Sequence, residues 1–369
     1  MSRPLPFAEP VYITRPIAPR LEDYVERLRP IWKDRVFTNN GTYARHLEQE
    51  LSTYLGAPNL SLVGNGTQAL MLACRALELT GEVITTPFTF AATVHALTWC
   101  GLTPVFADID EETLTIDPWR VEEAIRPSVD AILGVHVYGM PCDVLALQKV
   151  AYGYGKRLIY DAAHAFGTEI NGRPIATFAA ATAFSFHATK LFHTAEGGAV
   201  VVADPTVKAR VDALRNFGIV DGEPELPGMN AKMNEMQAAL GLLNLKLVEA
   251  ERAARGVVAD VYRARLAGLP GIRLFTLPAG VTDSRQYFVL RVENRDAFVD
   301  ALRTFNVHAR RYFYPLCSEF PHYRDLPSAN PANLPVAHRA SREVVCLPYY
   351  GGVDANRICD MIEHIQCSQ

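Results

Sequence analysis

Ala183-Phe184-Ser185-Phe186-His187-Ala188-Thr189-Lys190 is a short apolar run that closes on hydroxyls and a lysine, with a Gly197-Gly198 pair just beyond it. Upstream, Leu158-Ile159-Tyr160-Asp161 is a second apolar run, and it closes on an acid. Short apolar runs bounded by polar residues are how strands buried on both faces read. More of them flank this pair: Leu60-Ser61-Leu62-Val63, then 82–86, 104–107, 131–138 and 199–203, the first stretch itself counting as the run 182–186. Helical stretches such as 118–126 and 143–152 lie between several of them. Gln68 to Leu79 is apolar nearly all round, as a buried helix is. Strands alternating with helices predict an α/β fold, a mostly parallel sheet covered on both faces.

Outside that block, residues 43–56 place Tyr43, Leu47, Leu51 and Tyr54-Leu55 at helical spacing, with Glu48 and Glu50 interleaved. From Asn234 to Leu266 the pattern predicts one long helix. After Pro270, strand-like runs at 272–276, 287–292, 306–314 and 344–348 and a Pro/Asn-rich segment at 327–335 predict a smaller α+β domain. A chain of 369 residues suffices for two cores. The expected division is a large domain with an N-terminal arm over 1–250 and a small domain over 251–369.

Composition removes several function classes. The formal charge of −4 leaves no basic footprint for nucleic acid. Seven cysteines are scattered without a CxxC pair, which reads as reduced thiols rather than a disulfide framework or a metal site. No run approaches the roughly 18 apolar residues of a membrane span, and the first residues carry no apolar signal segment. The expected location is cytoplasmic.

An acid closing one strand and a lysine closing a later one form the pair that pyridoxal phosphate chemistry needs. The lysine can hold the cofactor as a Schiff base, and the carboxylate can keep its pyridinium nitrogen protonated. Asp161 also reads as an ordinary helix cap. However, ligands of parallel sheets sit beyond the carboxyl ends of the strands, where Asp161 is expected. His164 would project toward the same place, or serve as a structural histidine. Gly64-Asn65-Gly66-Thr67 stands between a strand and a helix, where free N–H groups and a hydroxyl can cradle a phosphate. Taken alone it is more often a plain turn, and the cradle gains weight only when Lys190 is set beside it. Phe90 in Pro87-Phe88-Thr89-Phe90 can stack on a ring or simply fill the core. Asn230 and Lys232 read as loop polar residues. Arg310 and Arg311 could clamp an anion or be solvated at a strand edge.

Together these segments resemble the DegT/DnrJ/StrS family of nucleotide-sugar aminotransferases. The likeness runs from Thr38-Asn39-Asn40-Gly41 through Asn65-Gly66-Thr67, Pro87-Phe88-Thr89-Phe90, Asp108-Ile109-Asp110, His136-Val137-Tyr138-Gly139 and Asp161-Ala162-Ala163-His164. It continues through Ser185 to Lys190, Glu196-Gly197-Gly198 and Gly228-Met229-Asn230. The resemblance implies a fold-type I architecture with a seven-stranded sheet, pyridoxal 5'-phosphate as cofactor, and a homodimer with shared active sites. It makes Lys190 the Schiff-base lysine and Asp161 the pyridinium partner. His164 stands where the family often has Gln, and Phe90 matches the stacking aromatic. Gly66, Thr67, Gln68 and Ser185 match the phosphate cradle, and Asn230 matches a residue reaching into the neighbouring subunit's site. His187, Lys232, Arg310 and Arg311 are the substrate-side candidates. Lys232 departs from the arginine common at its position. A lysine at 190 rather than histidine favours transamination over dehydration. The implied partners are L-glutamate, giving 2-oxoglutarate, and a nucleotide-linked keto sugar. The Phe186 to Gly198 wording is closer to members that form 4-amino-4,6-dideoxyhexoses on dTDP than to the 3-amino branch. A regulatory protein on the same scaffold and another cofactor-dependent lyase or decarboxylase stand as the competing readings.

Overall fold

The computed structural model describes residues 3–367. Its largest sheet has seven strands. They are β1 (Leu60–Val63), β2 (Glu82–Thr85), β3 (Thr103–Phe106), β4 (Val129–Val135), β5 (Arg157–Asp161), β6 (Ala181–Ser185) and β7 (Gly198–Val202). They lie in the order β1-β7-β6-β5-β4-β2-β3. Only β7 runs against its neighbours; every other pairing among β2 to β6 is parallel.

Side chains alternate between two apolar clusters, so both faces of the sheet are buried. On β5, Leu158 and Tyr160 join one cluster and Ile159 the other; on β7, Ala199 and Val201 oppose Val200 and Val202. The helices that cover these faces are α1 (Leu21–Asp34), α2 (Thr42–Tyr54), α3 (Gly66–Ala76), α4 (Ala91–Trp99), α5 (Pro118–Ala124), α6 (Val144–Gly153), α7 (Pro205–Leu214) and α8 (Glu235–Asn244). Leu47, Leu51 and Leu242 pack on the first face, and Leu70, Ala73, Leu97 and Val211 on the second.

The expected single helix over 234–266 is two. α8 ends at Asn244, a 3₁₀ turn covers Leu245–Leu247, and α9 runs Val248–Leu266. Asn244 is fully buried and donates to the carbonyl of His193 at 2.9 Å. α8 buries Leu242 in the large-sheet core, whereas α9 buries Val258, Tyr262 and Leu266 in a C-terminal one. The tight turn re-phases the apolar stripe between these two targets. That C-terminal core is built on β8 (Ile272–Leu274), β9 (Phe288–Val292) and β10 (Val344–Leu347), an antiparallel sheet in that order. α10 (Arg295–Arg303), α11 (Pro335–Glu343) and α12 (Ala355–Cys367) complete it.

The expected strand over 306–314 is not one. Val307–His308 pairs with Val11–Tyr12 of the N-terminal arm. Arg310 then exchanges two hydrogen bonds with Cys346, of 3.1 and 2.7 Å, and the chain leaves the sheet. The aromatics that follow, Tyr312 and Phe313, line the cavity described next. Among the described residues, no helix is long and apolar enough to cross a membrane.

Candidate active site

The C-terminal ends of β1, β5 and β6 and the start of β7 meet at one edge of the large sheet. Gly198 stands opposite both Val63 and Ser185, and Asp161 opposite Ala183. β1 hands over to α3 through Asn65, whose Oδ1 accepts the Gln68 N–H at 2.9 Å as the helix cap. This leaves the Gly66 and Thr67 N–H groups, which have no intrahelical acceptor, facing outward at the positive end of the helix. Glycine at 66 is a packing requirement: a Cβ there would lie 2.7 Å from the Cβ of Ser185.

Asp161 is 7% exposed. Its Oδ2 accepts from Thr93 Oγ1 at 2.8 Å, and Thr93 is in turn 2.7 Å from Thr89 Oγ1. Its Oδ1 accepts the Ala163 N–H at 3.0 Å. Burial raises its pKa above the ordinary carboxylate value; the Ala163 N–H, the Thr93 hydroxyl and the charge of Lys190 oppose that rise without cancelling it. Lys190 is half-buried, and desolvation pulls its ε-amine down to about 8 against the opposing pull of Asp161. An amine near that value is a usable proton acceptor close to neutral pH. His164 is buried, and its Nδ1 accepts the Tyr138 N–H at 3.1 Å, so its ring proton sits on Nε2. Burial first, and Lys190 second, hold the imidazole well below its ordinary pKa, in the neutral form.

These groups line one cavity of about 410 Å³. Asn65, Gly66, Thr67, Phe90, Asp161, His164, Ser185, His187, Lys190 and Arg310 all reach it. Phe90 is 58% exposed at its rim, with the open face a stacking ring would need. Sequence reasoning missed Thr93, Tyr287, Tyr312, Phe313 and Glu196. Tyr287 and Phe313 pack on His164 at ring distances of 4.9 and 6.0 Å, and Glu196 lies 3.6 Å from His187 Nε2. Signals existed for Thr93, since Thr89 and Thr93 are hydroxyls one turn apart in an otherwise apolar stretch, and for Glu196, which opens the Glu196-Gly197-Gly198 segment.

A sequence model described as the DegT/DnrJ/EryC1/StrS aminotransferase family matches residues 20–366. The chain belongs to that family. It is 42% identical over 347 residues to dTDP-4-amino-4,6-dideoxy-D-glucose transaminase of Escherichia coli, covering 92% of this chain and 93% of the relative. It is 40% identical to the transaminase of the same name from Shigella dysenteriae, covering 97% of each. The solved structure of DesI in the presence of its TDP-sugar product superposes with a TM-score of 0.93 at 38% identity, covering 98% of this chain and 94% of that one. The protein is therefore an aminotransferase of fold-type I, and its cofactor is pyridoxal phosphate.

The cavity fits that cofactor. A phosphate suits a helix start where a glycine has brought backbone against Ser185, and a carboxylate and a partly desolvated lysine occupy the same cavity. Four sequence-level candidates lie outside the lining. The Gln68 side chain reaches the Asn230 carbonyl at 3.5 Å instead. Asn230 is exposed on the surface. Lys232 donates to Asn216 Oδ1 at 2.8 Å and lies over the Phe217 ring at 4.6 Å. Arg311 pairs with Asp296 at 3.1 Å, because neighbours in an extended segment face opposite ways and Arg310 takes the inner side.

Proposed function

We propose that this aminotransferase moves an amino group from L-glutamate to a nucleotide-linked 4-keto-6-deoxy sugar. The preferred acceptor is dTDP-4-dehydro-6-deoxy-D-glucose, and the product is a 4-amino-4,6-dideoxy sugar for polysaccharide or glycoside assembly. The observation that carries this reading is the cavity holding Lys190 and Asp161 together, in a chain 42% identical to a transaminase named for that product.

When bound, pyridoxal phosphate supplies the aldehyde that takes up the amino group and the ring that draws electrons from the α-carbon. The residues divide the rest. Lys190 would anchor the cofactor, and its free amine would take the proton from the donor's α-carbon and return a proton to the sugar carbon. Asp161, aimed by Thr93 and Ala163, holds the proton of the ring nitrogen. The Nε2–H of His164 would be the donor available to the cofactor's ring hydroxyl. Gly66, Thr67 and Ser185 would hold the phosphate, and Phe90 would cover the ring. Arg310 and His187 stand at the mouth for the anionic parts of donor and sugar nucleotide. The protein works in the cytoplasm as a homodimer, with Asn230 serving the partner's site and the chain divided at 250/251.

The test is a panel of dTDP-, UDP- and GDP-linked keto sugars with purified protein, cofactor and glutamate, products read by mass and NMR. A 4-amino product on the dTDP sugar is expected. Amination at C3 would replace this reading by the C3 branch, and no loss of glutamate would point to a non-catalytic scaffold.

A further inference from the structure

The Lys190 loop is held by a segment far away in sequence. Gln286, 2% exposed, lies just before β9. Its Oε1 accepts the Leu191 N–H at 2.8 Å, and its Nε2 donates to the Thr189 carbonyl at 3.0 Å. Those two groups belong to the peptide units on either side of the Lys190 Cα. One amide thus bridges the lysine's backbone as a neighbouring strand would. The same segment grips the other half of the site. Ser284 Oγ donates to the His164 carbonyl at 2.7 Å, the Gln286 N–H reaches Ser284 Oγ at 3.3 Å, and Tyr287 stands edge-on to the His164 ring.

We propose that Gln286 is a positioning residue, whose amide fixes the peptide units flanking Lys190 and so aims the ε-amine into the cavity. The proposal rests on the reading of Lys190 as anchoring and proton-carrying amine. The chemistry at 286 is demanding. A primary amide offers one acceptor and one donor side by side on a single flat group, at any pH the enzyme works at. A carboxylate would set an oxygen against the Thr189 carbonyl, and an apolar side chain would leave two backbone groups buried without partners. A lysine whose Cα can shift no longer keeps its amine buried beside Asp161. Its affinity for protons then returns toward that of a solvated lysine, and its alignment with a substrate carbon is lost.

Gln286→Met keeps the volume and removes both bonds. In cofactor-free protein, the pH profile of Lys190 acylation, read by peptide mass spectrometry, should move up by about one unit from its midpoint at about 8. Hydrogen exchange at the Leu191 amide should quicken by about tenfold or more. With cofactor bound, kcat should fall on the order of 100-fold with little change in the sugar's KM, the effect of a small misplacement of a reacting group. If Gln286→Met does not fold, Gln286→Asn, which withdraws the amide by one methylene, carries the same expectations. A folded variant with an unshifted Lys190 profile and unchanged Leu191 protection overturns the proposal, since a merely structural tie would lower Tm alone. Borohydride labelling of a different lysine in the wild type would overturn the assignment of Lys190 itself, an outcome separable from an unshifted profile.

Discussion

Asp161 is kept as a carboxylate in a place that penalises one. A folded-state pKa above the unfolded value means that the folded chain loses stability as pH rises through that interval. Asp161→Asn removes the charge and keeps one acceptor, for the Ala163 N–H, while its NH2 must donate to the Thr93 hydroxyl in place of accepting from it. We expect the cofactor-free wild type to lose more stability between acid and neutral pH than Asp161→Asn does, read from urea midpoints at the two pH values. The half-reaction with glutamate should slow by roughly 100-fold or more, because a neutral partner cannot hold the ring proton. Near-normal rates in stopped-flow absorbance would make Asp161 a helix cap and nothing more. Lys190 has the opposite sign. It is a base held below its ordinary value, so between about 8 and the lysine reference near 10.4 the unfolded chain binds more protons and folding gains stability as pH rises. Urea midpoints of cofactor-free protein at the two ends of that window should show the rise, and Lys190→Ala should lose that part of it. The same variant should bind pyridoxal phosphate without covalent attachment and turn over nothing.

The start of α3 is the element on which the phosphate reading stands. Gly66→Ala puts a methyl 2.7 Å from the Cβ of Ser185, so α3 must draw back from β6. Cofactor affinity should drop about tenfold or more in a fluorescence titration, together with a lower Tm, since an overpacked contact costs roughly 1–3 kcal/mol. Gly153→Ala in α6 is the contrast: nothing lies within 4 Å of the added carbon, so Tm should hold or rise. Unchanged cofactor affinity in Gly66→Ala would dissociate the close approach from the cradle. Elements were legible in the sequence where one local rule set them. The buried runs that became β1 to β7 are each a few residues of apolar chain, and Asp161 and Lys190 could be seen because they end such runs. What could not be seen is long-range. Thr93 meets Asp161 across 68 residues, and Gln286 meets Leu191 across 95. No periodicity encodes such pairings. The 306–314 segment read as strand because it ends in three aromatics, Tyr312-Phe313-Tyr314, a composition strands favour, yet Tyr312 and Phe313 are used to wall the cavity instead of a sheet.

At the scale of the whole molecule, the single chain leaves part of its polar equipment unused. Asn230 is exposed outside the cavity, and near it a groove of about 500 Å³ is lined by Asn39, Asn40, Arg215, Phe217, Ile219 and Lys232. Large apolar side chains are exposed at this level of the surface, among them Trp32 (57%), Val36 (47%), Phe37 (38%) and Phe217 (50%). These features support the reading of a two-fold homodimer in which each site draws on both chains. If so, one cavity takes Lys190 from its own chain and Asn230 from the other. Lys190→Ala should be inactive by loss of the amine. Asn230→Asp should be nearly inactive, because it sets a negative charge against the phosphate of the partner's site. In a mixed dimer the two lesions fall together in one site and leave the other intact. Mixing the two parents after mild unfolding should therefore restore about one active site per heterodimer, measured on material purified through two different affinity tags. Dead parents that yield dead heterodimers, or an active monomer in sedimentation, would remove the shared site and leave Asn230 as a surface loop residue.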